Sequence, residues 1–224
     1  MKDIFIIGSG GVGREVAWII EEINKKKPTF NIVGFIDDNK YIHGKYINDY
    51  RILGDIDLLK NKFKGSRVVV GITNFKNKKR IVEYLGDDFI FENIIHPDVD
   101  INRNVEVGKG VIIYPGVIMT TNIKIGNNVI ISPKCGIGHN SVIKDYASLL
   151  WNVNVSGYVV IGYGALIGSG ATIIQNGKVG NGATIGAGAV VIRSIREGTT
   201  NVGVPSREVK NEEDTVCNDN RFNY

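Results

Sequence analysis

A six-residue hydrophobic repeat runs through the second half of the chain. From Ile95 to Val191 every sixth residue is aliphatic, without a break, and small or β-branched residues such as Val129, Cys135 and Ala147 stand two positions earlier. A period of six matches neither the 3.6-residue turn of an α-helix nor a simple hairpin. It predicts short strands separated by tight corners, with one long and one small side chain of each strand turned inward. The segment is therefore predicted to form a parallel β-solenoid.

With three strands in each coil, this segment holds about five coils, stacked at the usual inter-strand spacing of about 4.8 Å. The period alone does not define the hand of the coil. The general rule for parallel crossover connections favours a right-handed one.

The first 92 residues show a different pattern, typical of an α/β domain. A short apolar strand leads into the glycine turn Gly8, Gly10 and Gly13, in the spacing G-x-G-x-x-G. Residues without a Cβ allow the tight turn and leave room for a phosphate at the N-terminus of the following helix. The apolar positions of that helix follow the i, i+3, i+4, i+7 pattern of one buried face: Val16, Ile19, Ile20 and Ile23.

Polar residues follow the next two predicted strands. "IVGFIDD" ends in Asp37 and Asp38, where a ribose-binding acid belongs, and "RVVVGITN" ends in Asn74. This arrangement favours a nucleotide-type ligand, while the alternative for the two aspartates is a solvated strand end. The α/β pattern stops near residue 92, which leaves no room for the second half of a dinucleotide-binding domain.

The sequence thus divides into an α/β Rossmann-like domain (1–92), a solenoid (93–207) and a polar tail (208–224) that contains Cys217. The net charge of +4 is small and scattered, which argues against nucleic acid as a partner and suits an anionic small substrate. No apolar run reaches the ~18 residues of a membrane span, and no signal peptide is recognisable. A cytoplasmic protein is expected.

His139, in "CGIGHNSVI", lies two residues after the inward-facing Ile137 and so falls on an outward corner. Gly157 occupies the same corner one coil later. Most outward corner residues are polar, so geometry alone leaves open whether His139 is a catalytic base or a solvated residue. The corner residue Trp151 and the aromatic residues Tyr158 and Tyr163 have no assigned role.

No metal site is expected, because the three histidines lie in unrelated elements without a cluster of carboxylates. His43 is predicted to be solvated in a loop, and His96 to be a packing or hinge residue at the domain junction. Cys135 holds a small inward position of the repeat and is predicted to be core. A route through a cysteine nucleophile is therefore disfavoured.

Several motifs together resemble one enzyme family over residues 3 to about 210. "GSGGVGREV", "FIDDN" and "ILGD" precede the hexapeptide repeat, which ends in "VGVPSR". This combination resembles the hexapeptide-repeat sugar acetyltransferases of the bacillosamine and sialic-acid (PglD/NeuD-like) type. The resemblance implies a left-handed β-helix, a homotrimer, and acetyl-CoA bound between neighbouring helices. It also implies acetylation of the amine of a nucleotide-linked amino sugar.

The resemblance also implies roles for individual residues. His139 corresponds to the catalytic base, and the backbone N–H of Gly157 to the donor for the acetyl oxygen. Ser148 corresponds to a residue at the acetyl region, and Arg207 to a basic residue near the 3′-phosphate of CoA. The sugar nucleotide is assigned to the following residues: Gly8, Gly10, Asp37, Asp38 and Asn74.

The chain departs from the family at the catalytic motif. Gly138 and Asn140 replace the acids that flank the histidine, and an adjacent carboxylate would fix one tautomer and increase the basicity of the ring. Asn140 is expected to orient the imidazole through an uncharged hydrogen bond. Val12 replaces the histidine of a "GGHG" turn, and Ser132 stands where relatives often have asparagine.

Three alternatives to sugar N-acetylation remain. The first is an O-acetyltransferase acting on a hydroxyl of a sialic-acid-type or other sugar. The second, suggested by the glycine turn, is an NAD-dependent enzyme, which the missing second half and the solenoid disfavour. The third is a solenoid scaffold without catalytic activity.

Overall fold

The computed structural model of the protein describes residues 1–209. Its first part is a six-stranded sheet in the order β3-β4-β2-β1-β5-β6, parallel except for the β3–β4 hairpin. The elements of this α/β domain are β1 (Lys2–Ile7), α1 (Gly11–Lys26), β2 (Phe30–Ile36), β3 (Tyr46–Ile47), β4 (Tyr50–Gly54), α2 (Ile56–Lys62), β5 (Arg67–Val70), α3 (Phe75–Leu85) and β6 (Ile90–Phe91). Two short 3₁₀ helices span Lys40–Ile42 and Gly86–Asp88.

Helix α1 buries the face that its periodicity predicted. Val16, Ile19 and Ile20 are fully buried, and Ile23 packs against the same cluster. The predicted second and third strands, in contrast, end earlier than expected. They end at Ile36 and Val70, because the polar residues that follow form turns and a helix cap rather than strand pairs.

The second part is the solenoid predicted from the repeat. Three sheets of parallel strands run along it, and two of them hold five strands each. Its strands are β7 (Ile94–Ile95), β8 (Val105–Val107), β9 (Ile112–Ile113), β10 (Ile118–Met119), β11 (Ile123–Ile125), β12 (Ile130–Ile131), β13 (Gly136–Ile137), β14 (Val142–Ile143), β15 (Ser148–Leu149), β16 (Asn154–Val155), β17 (Val160–Ile161), β18 (Leu166–Ile167), β19 (Thr172–Ile173), β20 (Lys178–Val179), β21 (Thr184–Ile185), β22 (Val190–Val191), β23 (Thr200–Val202) and β24 (Arg207–Glu208).

The strand register confirms three strands in each coil. Ile137 pairs with Val155, and Val155 with Ile173, which is a step of 18 residues each time. The long and small inward positions together form one continuous apolar core along the solenoid. Cys135 belongs to this core and is 1% exposed, as predicted.

One face of the solenoid is covered by the α/β domain. This face is the sheet that contains β7, β9, β12 and β15, and its outward residues Ile94, Ile112 and Ile130 share a core with helix α1. Tyr114 is buried in the same junction, and its hydroxyl donates to a carboxylate oxygen of Glu15 at 2.8 Å. The α/β domain is thereby held on one side of a three-sided prism.

Within residues 1–209, none of the helices has the length and apolar character needed to cross a membrane. The predicted polar tail lies outside the described residues from position 210 onward, and Cys217 lies there with it.

Candidate active site

His139 lies on the corner between strands β13 and β14, and its side chain is exposed. β13 belongs to one free sheet of the prism and β14 to the other. The corner is therefore the edge of the prism opposite the sheet that carries the α/β domain. The prediction of an outward-facing imidazole is consistent with this position.

The imidazole of His139 lies across the backbone of Gly157 in the next coil. A Cβ placed on Gly157 would come within 2.7 Å of both Nε2 and Cε1 of the ring. Real Cβ atoms do not approach so closely, so the exposed ring would have to leave the position it holds. Glycine at position 157 is thus a steric requirement for the observed position of His139.

Asn140 orients the ring. Nδ1 of His139 lies 3.0 Å from the side-chain oxygen of Asn140. An amide oxygen only accepts hydrogen bonds, so Nδ1 carries the proton and Nε2 keeps a free lone pair. This is the tautomer that a base acting through Nε2 requires, and Asn140 provides it without the charge of a carboxylate.

The backbone N–H of Gly157 has no hydrogen-bond acceptor among residues 1–209. At another edge of the prism, acceptors from the next coil take up equivalent N–H groups. Asn127 accepts from the N–H of Lys109, and Asn181 accepts from that of Tyr163. Along the edge that contains His139, the N–H groups of His139, Gly157 and Gln175 have no such acceptor among residues 1–209, so the N–H of Gly157 is available to a ligand.

The glycine turn of the α/β domain combines two different kinds of glycine. Gly8 has φ of +95°, and a Cβ on Gly13 would overlap the carbonyl oxygen of Gly8, so both are required by the fold. Gly10, in contrast, is exposed and has no atom within 4 Å of a Cβ built on it. It precedes helix α1, and no side chain of this residue caps the N–H groups of the first turn.

The two aspartates after β2 have different environments. Asp37 accepts hydrogen bonds from the backbone N–H and the hydroxyl of Ser9, at 2.9 and 2.6 Å, and a third from the N–H of Asn39. Burial alone would raise the pKa of Asp37, but these hydrogen bonds outweigh it and the pKa is lowered. Asp37 thus holds the glycine turn in place. Asp38 is half-exposed, and its carboxylate oxygen Oδ2 lies 3.8 Å from a guanidinium nitrogen of Arg80.

His43 departs from its predicted solvated position. It is half-buried, and its Nε2 donates to the carbonyl oxygen of Asp37 at 2.7 Å. The sequence does not predict this contact, because Asp37 lies in the turn after β2 and comes close to the loop of His43 only in the folded domain.

A cavity of about 150 Å³ opens at the carboxyl ends of β1 and β2. Gly8, Asp37 and Asp38 line it from the predicted set, and Asn77 and Arg80 line it from helix α3. The position agrees with the rule that parallel sheets bind ligands outside the carboxyl ends of their strands. Arg80 was not among the predicted site residues. The basic run "FKNKKR", which follows the third predicted strand, is the feature of the sequence that indicates a positively charged residue at this edge of the sheet.

Asn74 lies at the same edge of the sheet, but its side chain is used for helix capping. It accepts a hydrogen bond from the N–H of Asn77 at 3.1 Å and begins helix α3. Its predicted contact with a sugar nucleotide stays a prediction.

Ser148 lies at the domain junction, on the sheet that faces the α/β domain. Its side chain is 1% exposed and its hydroxyl donates to the carbonyl oxygen of Thr73 at 3.3 Å. It accepts a long hydrogen bond, 3.5 Å, from the amine of Lys78. Ser148 and His139 are therefore on different sides of the prism within one chain, and the contact of Ser148 with an acetyl group stays a prediction.

Lys78 is a buried amine that the sequence analysis missed. It is 1% exposed, and no carboxylate within the part of the chain that the structure describes forms an ion pair with it. Burial lowers the pKa of Lys78 to about 7. Its signal in the sequence was its place on the buried face of α3, together with Ile81 and Leu85.

The remaining candidates lie on the solenoid surface or in its core. Arg207 is exposed at the start of β24, and Trp151 is a half-exposed corner residue. Burial raises the pKa of the Cys135 thiol to about 11, and its sulfur faces the carbonyl oxygen of Leu150. Among residues 1–209 no three histidine, cysteine or acidic side chains are grouped to hold a metal ion.

Comparison with known proteins supports these structural observations. Residues 3–85 match the family described as the PglD N-terminal domain. The GDP-perosamine N-acetyltransferase of Escherichia coli O157:H7 is 33% identical over 174 residues, which span 76% of this chain and 77% of that protein.

Two solved structures share the whole fold. The acetyltransferase domain of PglB from Neisseria gonorrhoeae has a TM-score of 0.83 and 25% identity, covering 93% of this chain and 100% of that one. PerB from Caulobacter crescentus, solved with CoA and GDP-perosamine, has a TM-score of 0.84 and 23% identity, and the match covers 94% of this chain and 98% of PerB. The predicted fold class is confirmed: a Rossmann-like α/β domain followed by a left-handed parallel β-helix.

Because the amine of Lys78 is buried, we expect it to lower the free energy of unfolding by an amount that depends on pH. Its pKa is about 7 in the folded chain and 10.5 in the unfolded chain, so between these values the unfolded state binds the extra proton. The contribution of this one group to the free energy of unfolding therefore increases with pH, by up to about 1.4 kcal/mol per pH unit in that window. K78M should remove this increase and be more stable than the wild type near pH 7. Chemical denaturation from pH 6 to 10 measures both, and an identical pH dependence in the two proteins would contradict the prediction.

Proposed function

Because this chain belongs to the PglD-like family of hexapeptide-repeat sugar acetyltransferases, we propose that it transfers the acetyl group of acetyl-CoA directly to the amine of a nucleotide-linked amino sugar. The observation that carries the mechanism is the position of His139 across Gly157, with its tautomer set by Asn140. The curated relative is named for GDP-perosamine, so a nucleotide-linked amino sugar of that kind is the proposed acceptor. Since acetyl-CoA and nucleotide sugars are cytoplasmic metabolites, we place the reaction in the cytoplasm.

His139 acts as the general base of the proposed reaction. An ammonium group has no lone pair to attack a thioester, so the acceptor amine must lose a proton. This first proton goes to the solvent, and Nε2 of His139 accepts a second proton from the neutral amine as the new C–N bond forms. The C–S bond then breaks, and the imidazolium returns the proton to the sulfur of CoA. A base placed in this way typically accelerates a reaction by about 10²- to 10⁴-fold.

The N–H of Gly157 stabilises the negative charge on the acetyl oxygen. This charge develops when the amine adds to the thioester carbonyl, and a fixed backbone donor is worth about 2.7–4 kcal/mol at such sites. The free N–H of Gly157 and Nε2 of His139 lie at one corner. A single thioester bound there contacts both.

The crevice of the α/β domain holds the nucleotide. The open turn at Gly10 and the first turn of helix α1 suit the diphosphate, because uncapped N–H groups at a helix N-terminus bind anions. Asp38 and Arg80 supply polar contacts at the cavity, whereas Asp37 supports the turn from behind. Binding at this distance from the reacting atoms positions the amine for attack.

We propose that a homotrimer assembles the complete site. Within one chain, the catalytic corner is on the prism edge opposite the α/β domain, so the base and the nucleotide crevice face away from each other. A second copy placed against that edge brings its own crevice and solenoid face to His139. In this arrangement acetyl-CoA lies between two solenoids, and Arg207 is available to its 3′-phosphate. Ser148 lies on the crevice side, under the loop at Thr73.

O-acetylation of a sugar hydroxyl is the alternative within the family. A hydroxyl depends more on the base during attack, and His139 lacks the carboxylate that would increase its basicity. The uncharged Asn140 is thus better suited to an amine, whose intrinsic nucleophilicity is higher. A scaffold without activity offers no reason for the glycine that the imidazole requires at position 157.

The acceptor distinguishes these functions. With acetyl-CoA, a GDP-, UDP- or dTDP-linked amino sugar should cause release of free CoA, while a free sialic-acid-type sugar should not. The thiol is measured with a chromogenic disulfide, and mass spectrometry identifies the amide. Thiol release with hydroxyl acceptors alone would favour O-acetylation, and no release with any acceptor would support the scaffold.

H139A should keep its fold and lower kcat by about 10²- to 10⁴-fold, because the base is lost while the exposed corner remains intact. Circular dichroism and the melting temperature verify the fold, and N127A, which changes an exposed residue on another corner, serves as a control with wild-type turnover. Near-normal kcat in H139A would reject the proposed base.

D38A should weaken binding of the sugar nucleotide and leave acetyl-CoA binding unchanged, since Asp38 lines the crevice and the thioester site is on the solenoid. D37A should also lower the melting temperature, because it removes the acceptor of both Ser9 hydrogen bonds. Calorimetry with GDP and with CoA measures the two affinities separately. Equal losses for both ligands in D38A would contradict this assignment.

A further inference from the structure

Tyr158 is a bulky residue in a backbone conformation that favours asparagine and glycine. Its φ is +57°, in the left-handed region. The residues at the same place in the coils before and after it are Asn122, Asn140 and Asn176, which all have positive φ. Asparagine tolerates this conformation, whereas a large aromatic residue is strained there. Such strain persists where other interactions require the residue, and it is concentrated at functional sites.

The interactions of Tyr158 are with His139. The two rings meet edge to face, with centroids 5.1 Å apart and planes at 90°. The backbone N–H of Tyr158 also donates to the carbonyl oxygen of His139 at 2.8 Å. The tyrosine side chain is 51% exposed, and within residues 1–209 its hydroxyl forms no hydrogen bond. Burial and hydrogen bonding of its own side chain therefore do not explain the presence of a tyrosine at this corner.

We propose that Tyr158 is a positioning residue that holds the imidazole of His139 against Gly157. The inference rests on the proposed role of His139 as the base. Asn140 fixes Nδ1, the backbone of Gly157 limits the ring from the next coil, and the ring of Tyr158 closes the side that would otherwise be open.

An exposed histidine without this restraint changes rotamer on the picosecond-to-nanosecond time scale. A base contributes only while its nitrogen lies within reach of the proton, so each alternative rotamer lowers the rate. Asparagine at position 158 would relieve the backbone strain but leave that side of the ring open. The chain thus keeps a less stable corner in exchange for a fixed base, which is the usual direction of a stability–activity trade-off.

The test compares Y158N with Y158F and Y146N. Y158N should have a melting temperature equal to or above that of the wild type and a kcat about 10- to 100-fold lower, with KM for both substrates and the pH midpoint of kcat/KM unchanged. Y158F, which keeps the ring, should retain most of the rate. Tyr146 has a similar φ of +62° but contacts Tyr163 on another corner, so Y146N should leave kcat unchanged.

NMR of ¹³C-labelled histidine rings gives a second, independent measurement, because the chain has only three histidines to assign. In the wild type, His139 should show a single ring environment with the proton on Nδ1. In Y158N, its signals should broaden or shift toward a mixture of tautomers.

An unchanged His139 spectrum in Y158N, an unchanged kcat, or a kcat loss that follows a lower melting temperature would overturn the proposal. Failure of the base itself is distinguished by H139A, which would then keep normal turnover whatever the spectrum of Y158N shows.

Discussion

The stacking of 18-residue coils is the constraint on which the rest of the structure depends. Each strand pairs with the strand 18 positions later, so the repeat determines which two side chains are neighbours in successive coils. His139 therefore lies directly below Gly157, and Asn140 below Tyr158. A catalytic corner built in this way needs no long loops, because the hydrogen bonds of the parallel sheets already hold its residues in place. The residues of the proposed site then differ from their counterparts in neighbouring coils only in side chain: an imidazole at His139, a missing Cβ at Gly157 and a strained aromatic ring at Tyr158.

The solenoid was predictable from sequence in detail because a repeat of inward aliphatic residues specifies both the strands and the faces of the prism. His139 and Gly157 followed from the same register. Asp37 and Asp38 were located correctly at the strand end, but their different environments were not predictable. Ser9 meets Asp37 only after β1 and β2 pair in parallel, and local sequence does not contain that contact. Lys78 and Tyr158 were missed for a related reason. A lysine on an apolar helix face and a tyrosine at a corner have ordinary identities, and only burial and backbone conformation show that they are unusual.

The arrangement of the two ligand regions relates the fold to the proposed assembly. The α/β domain covers one sheet of the prism, while His139 lies on the opposite edge. The proposed nucleotide recognition and the proposed proton transfer thus belong to separate surfaces of each chain. The resemblance to sugar acetyltransferases implied a trimer, and the proposed trimer is the assembly that would bring the two surfaces of neighbouring chains together.

The shared core between helix α1 and the solenoid has an evolutionary consequence. Ile112 and Ile130 point out of the prism into the α/β domain, and the Tyr114–Glu15 hydrogen bond joins the same two parts. If an α/β domain from an unrelated protein replaced this one, the two isoleucines would be exposed to solvent and the hydroxyl of Tyr114 would lose its acceptor, Glu15. Exchange of whole α/β domains on this solenoid is thereby restricted to donors that carry a matching first helix. If the crevice recognises the acceptor as proposed, the range of acceptors should change by point substitutions in the crevice more readily than by exchange of domains.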